Sequence, residues 1–216
     1  MILKYYYWWF KDALPHRFCD DIIKYGKELK SKESLASTGD FGKDRDLKRN
    51  PLTKQELKKL KKTRNSNVVW MDDPWIYKEI HPYLRAANLN SGWNFQWDWS
   101  ESCQFTKYAK GQYYDWHFDS WDEPYSITKG TNYEGKIRKL SVTLSLSDAS
   151  EYEGGELEFS FPTNGPHKKP NIVQCKEIRT KGSLVVFPSN VWHRVKPVTK
   201  GTRYSLVIWS IGQPFK

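Results

Sequence analysis

The stretch KLSVTLSLS, residues 139–147, decides the fold: apolar side chains alternate with Ser and Thr at every second position. In an extended chain successive side chains point to opposite faces, so this pattern predicts a strand with one face in a core. The same texture recurs on both sides of it. WNFQWDW (93–99), SCQFTKYA (102–109), GELEFSF (155–161), GSLVVFP (182–188) and RYSLVIWSI (203–211) are short β-rich runs, punctuated by Gly, Pro, Asn and Asp. At least seven or eight strands fit into about 120 residues, with no helix between them long enough for a parallel crossover. The expectation is a mainly β fold with flanking helices, an antiparallel sandwich or jelly roll over roughly residues 91–212.

Ahead of this region the periodicity is helical. PHRFCDDIIKYGKELK (15–30) places Pro15 in a first turn and repeats Phe18, Ile22, Tyr25 and Leu29 at three- and four-residue spacing. TKQELKKLKK (53–62) predicts a second, mostly exposed helix, with Thr53 and Glu56 spaced as a capping box. SNVVWM (66–71) predicts a strand, and PWIYKEIHPYLRAANL (74–89) a helix interrupted or kinked at Pro82. STGDFGKDRDLKRNP (37–51) is expected to be a polar loop, and the aromatic N-terminus an opening strand packed on the core. Residues 1–216 are therefore expected to form one domain, with roughly 1–90 as helical support outside the β core.

Composition narrows the class. Eleven Trp, thirteen Tyr and ten Phe suit a packed globular chain rather than a disordered one. No apolar run is long enough to span a membrane, and the N-terminus lacks the cationic start and small-residue cleavage site of a signal peptide. Cys19, Cys103 and Cys175 are odd in number and far apart, which suggests neither a disulfide framework nor a cysteine zinc site. A soluble, cytoplasmic setting is expected. Of the net charge of +10, residues 24–64 supply a surplus of 8, with 14 Lys/Arg against 6 Asp/Glu. That segment is a solvated basic surface or a site for an acidic partner, nucleic acid included.

Chemistry concentrates in YYDWHFDSWDEPY (113–125). On a strand, His117 and Asp119 project side by side, while Trp116 and Phe118 turn to the other face. His193, after a β-rich run and a Pro turn, is the natural third donor from another strand. Two imidazoles and one carboxylate with open positions form the facial triad typical of non-haem Fe(II) oxygenases. Ten residues further, Arg203 sits in a run that reads as a buried strand, where a guanidinium is costly unless it meets an anion. A dicarboxylate would suit it through bidentate pairing; an internal salt bridge is the plainer alternative.

YAKGQYYDWHFDS, RKLSVTLSLSDASEYEGGELEF and KGSLVVFPSNVWHRVKPVTKGTRYSLVIW resemble the 2-oxoglutarate- and Fe(II)-dependent dioxygenases, and within them the prolyl 4-hydroxylase-like branch with its PKHD-type hydroxylases. The resemblance covers about residues 66–211. It implies a double-stranded β-helix (jelly-roll) core, with His117, Asp119 and His193 as Fe(II) ligands and catalytic centre. It implies that Arg203 pairs with the distal carboxylate of 2-oxoglutarate and that Tyr108 hydrogen-bonds this co-substrate. Ser145 stands where some relatives use a Tyr hydroxyl for the co-substrate. The glycines of EGGELEF serve a turn, and Glu156 receives no catalytic role. Cofactors implied are Fe(II), 2-oxoglutarate and O2, with ascorbate as reductant. The reaction implied is hydroxylation of an unactivated C–H bond, with release of succinate and CO2, on a prolyl residue of a peptide or protein. An aromatic wall including Trp116, Trp121 and Trp209 is expected around the triad, with Trp121 and Trp209 as substrate-contact candidates. The long polar segment 120–139 is the candidate substrate loop.

Two other readings stay open at this point. Base-demethylating relatives oxidise nucleic acid, but they carry a second Arg six residues beyond the first, where this chain has Trp209. A non-catalytic jelly-roll binding module would leave both the triad and Arg203 without a purpose.

Overall fold

The structure is a computed structural model that describes residues 3–29, 34–35, 52–120, 123–126, 130–163 and 169–215. The loop expected at 37–51 lies outside them. Two antiparallel sheets face one another. The larger has the order β1 (Trp8–Phe10), β12 (Leu184–Pro188), β8 (Ile137–Ser145), β14 (Val198–Gly212), β6 (Cys103–Ala109), β4 (Asn67–Met71) and β2 (Ser34–Leu35). β5 (Trp99–Ser100) and β9 (Tyr152–Gly154) also pair with β14. The smaller sheet runs β11 (Asn171–Gln174), β10 (Leu157–Phe161), β13 (Trp192–Val195), β7 (Tyr113–His117) and β3 (Arg64–Asn65). This is the expected jelly roll, and KLSVTLSLS sits at its centre as β8, bonded to β12 on one side and β14 on the other.

The alternation in β8 explains the layering. Leu140, Val142 and Leu144 turn outward and meet helices α1 (His16–Glu28) and α3 (Pro74–Asn90) in a cluster with Cys19, Ile22, Ile76, Ile80 and Leu84. Between the sheets a second cluster brings Phe159 and Leu157 from the smaller sheet against Val185 and Phe187 from the larger. The short helix α2 (Lys54–Thr63) buries only Leu60. Its capping box is formed as predicted: Glu56 N donates to Thr53 Oγ1 and Thr53 N to Glu56 Oε2.

The first 90 residues do more than support the core. β1 and β2 edge the larger sheet and β3 edges the smaller one, because a jelly-roll edge left open exposes unpaired backbone groups. WNFQWDW behaves differently from its texture. Only Trp99 in it joins a strand, and Asn94 takes a positive φ of 51°. Phe95 finds its backbone partners on the Asn88 side chain, which accepts from its N–H and donates to its C=O. Among the described residues no helix is long and apolar enough to cross a membrane. The three cysteines are free and buried.

Candidate metal centre

β7 and β13 lie side by side with His117 opposite His193 in register. The imidazole centroids are 4.1 Å apart and tilted by 55°. β7 ends at His117, and the chain turns so that the backbone N–H groups of Asp119 and Ser120 both donate to Ser189 C=O, at 2.7 and 2.9 Å. That turn swings the Asp119 carboxylate between the rings: Oδ1 is 3.7 Å from His117 Nε2 and Oδ2 is 3.6 Å from His193 Nε2. The donor atoms of all three residues lie within 4.8 Å of one another.

The tautomers are preset. His117 Nδ1 is 2.7 Å from Asp115 C=O and His193 Nδ1 is 2.9 Å from Val191 C=O. A carbonyl only accepts, so each Nδ1 carries the proton and each Nε2 keeps its lone pair for a metal. Burial, followed by the neighbouring His193, holds the His117 pKa well below the usual histidine value, which keeps its ring neutral. For Asp119 burial acts upward, but His193, His117 and Arg138 outweigh it and its carboxyl stays below the ordinary value. Ser141 Oγ donates to Asp119 Oδ2 at 2.7 Å and lies 2.9 Å from Ser189 Oγ, which fixes the carboxylate's orientation. Two neutral imidazoles and one ionised carboxylate, converging from two strands, fit a divalent first-row ion with open positions.

Arg203 enters from the other sheet. It lies on β14 opposite Tyr108 of β6, is 2% exposed, and donates from Nη1 to Ser205 Oγ at 3.2 Å. Among the described residues no carboxylate lies within salt-bridge distance of it, so the internal ion pair left open by the sequence is not formed. Gly155, with φ of +63°, faces its stem: a Cβ there would come within 3.1 Å of Arg203 Cδ. The glycines of EGGELEF thus serve the turn and also make room for the arginine.

His117, Asp119, His193, Arg203 and Tyr108 line one narrow cavity. Ser145 is not brought there: its hydroxyl turns to Ser147 C=O at 3.2 Å, and Thr143, two residues earlier, is the β8 side chain in the lining. Trp209 is 5% exposed and also outside the lining, packed 3.9 Å beneath the Arg138 guanidinium and tilted against Trp70. Trp121 lies outside the described residues. Trp116 turns away from the triad to Arg194, and Phe118 packs on Trp192 on that same outer face. The ring that covers His117 is instead Tyr114, stacked at 3.4 Å. The sequence reading missed Tyr114 and its neighbour Arg64, which stacks 4.3 Å over it and bonds Ser66 and Gln104. It also missed the clamp of Glu101 on Arg138. No local pattern marks these residues, since each is drawn in by strand pairing.

Residues 103–211, half of the chain, match the family model described as the 2OG-Fe(II) oxygenase superfamily. The chain belongs to this superfamily. Its cofactor and co-substrates are those of a 2OG-Fe(II) oxygenase, namely Fe(II), 2-oxoglutarate and O2, and the donor set above suits them. Among curated relatives, a PKHD-type hydroxylase of Teredinibacter turnerae is 36% identical over 106 residues, which take in 49% of this chain and 41% of that protein. Another, from Synechococcus sp., is 38% identical over 100 residues, 46% of this chain and 36% of its own. The alignments thus take in about two fifths of the length of these curated relatives. In fold the chain is similar to a Pseudomonas putida prolyl-4-hydroxylase, with TM-score 0.64, 19% identity and coverage of 98% of this chain and 95% of the other. A Trichoplax adhaerens prolyl hydroxylase, solved with a hypoxia inducible factor peptide fragment, superposes with TM-score 0.59 at 17% identity, covering 96% and 84%.

Proposed function

We propose that the chain is a hydroxylase that acts on a prolyl residue of a peptide or protein, using Fe(II) and 2-oxoglutarate. The observation that carries the activity is the pairing, across one cavity, of a preset His–Asp–His donor set with a buried arginine that has no acid of its own among the described residues. His117 and His193 would hold the metal through Nε2, and Asp119 through its carboxylate. Bound there, Fe(II) supplies the oxidising chemistry: one oxygen atom of O2 enters the C–H bond, the other enters succinate, and CO2 is released. The protein's own groups do the rest. Ser141 and Ser189 keep the carboxylate turned to the metal position. Arg203 binds the distal carboxylate of 2-oxoglutarate, with Tyr108 alongside. Phe187, 4.7 Å from His193 and edge-on to it, and Tyr114 over His117 keep the centre dry. The choice of a prolyl target rests on the prolyl hydroxylases among the similar folds.

The direct test is mass spectrometry of proline-containing peptides incubated with the protein, Fe(II) and 2-oxoglutarate. A gain of one oxygen on proline, with matching succinate, is expected. If succinate release is stimulated by single-stranded DNA and by no prolyl peptide, the substrate assignment is wrong. Arg203→Lys should raise the KM for 2-oxoglutarate about tenfold or more through loss of the bidentate contact. An unchanged KM would remove Arg203 from its role.

A further inference from the structure

Helix α2 is a second cationic feature, on the surface. It carries Lys54, Lys58, Lys59, Lys61 and Lys62 against the single acid Glu56, and all five lysines are exposed. Elsewhere Lys136 meets Asp98, Lys181 meets Asp20 and Lys200 meets Glu153, while exposed lysines without an acidic partner among the described residues, such as Lys11, Lys78 and Lys110, stand singly and not in a cluster on one short helix. The five α2 lysines have no acidic partner among the described residues. Lys61 and Lys62 in the last turn suit the helix dipole, but the rest of the arrangement is unfavourable for the helix itself. Lys54/Lys58 and Lys58/Lys62 are like charges one turn apart, and Lys54 sits at the N-terminal end, where the helix dipole disfavours a cation. A face needed only for solubility would do better with acids interspersed.

The helix is tied to the metal strand. Tyr113 of β7 donates its hydroxyl toward the carbonyls of Lys61 and Lys62, at 2.8 and 3.1 Å, at the helix's C-terminal end. The next element, β3, pairs Arg64 with Tyr114 of the same strand. Arg64 lines the metal cavity, and the ring it covers is the one stacked on His117. One residue, Thr63, therefore separates the last lysine of the helix from the cavity wall. From Lys54 to Lys62 the helix axis advances about 12 Å, the reach of about four residues of extended polypeptide.

We propose that α2 is a docking surface for an acidic stretch of the polypeptide substrate, flanking the residue delivered to the metal cavity; this rests on the hydroxylase reading above. Charge complementarity selects the partner. Nucleic acid is the weaker candidate, because single strands are gripped by aromatic stacking platforms beside the cations, and α2 has no aromatic residue. The substrate class is thus a prolyl polypeptide with Glu or Asp residues near its target.

The test is fluorescence anisotropy on the full chain without metal or 2-oxoglutarate, so that it reads docking alone. The probes are a labelled Glu-Pro repeat peptide, its Gln-Pro counterpart and an oligothymidylate. The Glu-Pro peptide should bind at least about tenfold more tightly than the Gln-Pro peptide, and added salt should abolish the difference. Replacing Lys54, Lys58, Lys61 and Lys62 by Gln should remove that preference. A charge-reversed variant, Lys58→Glu with Lys62→Glu, should acquire a preference for a Lys-Pro peptide, which a merely unfolded helix would not. Equal binding of the two peptides, or an unchanged preference in the Gln variant, would overturn the proposal. So would tighter binding of the oligothymidylate than of the Glu-Pro peptide. Docking without hydroxylation would count against the prolyl reading alone, and hydroxylation of neutral prolyl peptides without docking against this one alone.

Discussion

Ser141 touches no metal position, yet its hydroxyl decides which way the Asp119 carboxylate faces. Partners of this kind typically contribute 10- to 100-fold to metal affinity, so Ser141→Ala should weaken binding of Fe(II), or of Co(II) as a spectroscopic substitute, by about that factor. The fold should be intact by circular dichroism, because the lost group is small and its cavity already polar. A half-buried histidine outside the metal site also titrates below its ordinary value. His81 on α3 is 3.0 Å from Ser100 Oγ and packs between the rings of Tyr77 and Trp97. Burial first, and Arg85 second, lower its pKa from 6.5. Below pH 6.5 the unfolded chain takes up a proton that the folded chain refuses, so the His81 contribution is complete above this pH and declines as the pH falls through the window beneath it. Thermal melts at stepwise lower pH should show that decline, and His81→Gln should flatten it.

At the scale of elements, the seat of α1 on the larger sheet depends on one missing methyl. A Cβ on Gly26 would lie 2.7 Å from the ring carbons of Phe105, which is itself buried and stacked on Tyr204 at 5.5 Å. Alanine gains about 1 kcal/mol in helix propensity over glycine, whereas overpacking a close contact costs about 1–3 kcal/mol. The clash should win, and Gly26→Ala should lower the urea midpoint. A raised midpoint would mean that α1 slides on the sheet without cost. The periodicity of α1 was legible, since Ile22 lies in the core and Phe18, Tyr25 and Leu29 pack against it, and so was the capping box of α2. The irregular path of WNFQWDW was not, because its backbone partners come from the side chain of Asn88 on a helix that precedes it.

At the scale of the molecule, the two sheets divide the labour. The smaller holds the two histidines on neighbouring strands, and the larger holds Arg203 on β14. Ligands that bridge them should tie the sheets together. Fe(II) with 2-oxoglutarate, each at about 100 times its dissociation constant, should stabilise the native state by about 2.7 kcal/mol per ligand, seen as a rise in melting temperature that a chelator reverses. Loss of the rise in Arg203→Lys for 2-oxoglutarate but not for the metal would separate the two contributions. Sequence by itself determined the β sandwich, because alternation in runs such as 139–147 is a local property of the pleat. It also pointed to His117 and Asp119 as a donor pair, although Asp119 reaches the site through the turn that follows β7 and not by alternation along the strand. What only the tertiary structure decided is which distant groups complete the site: the register that sets His193 against His117, Ser141 on Asp119, Tyr114 and Arg64 as the cover, and the absence of an acid beside Arg203 among the described residues. It likewise decided that the lysine helix ends against the metal strand. Those contacts join residues dozens of positions apart, and their energy comes from backbone pairing and burial across the sheets, which no window of sequence contains.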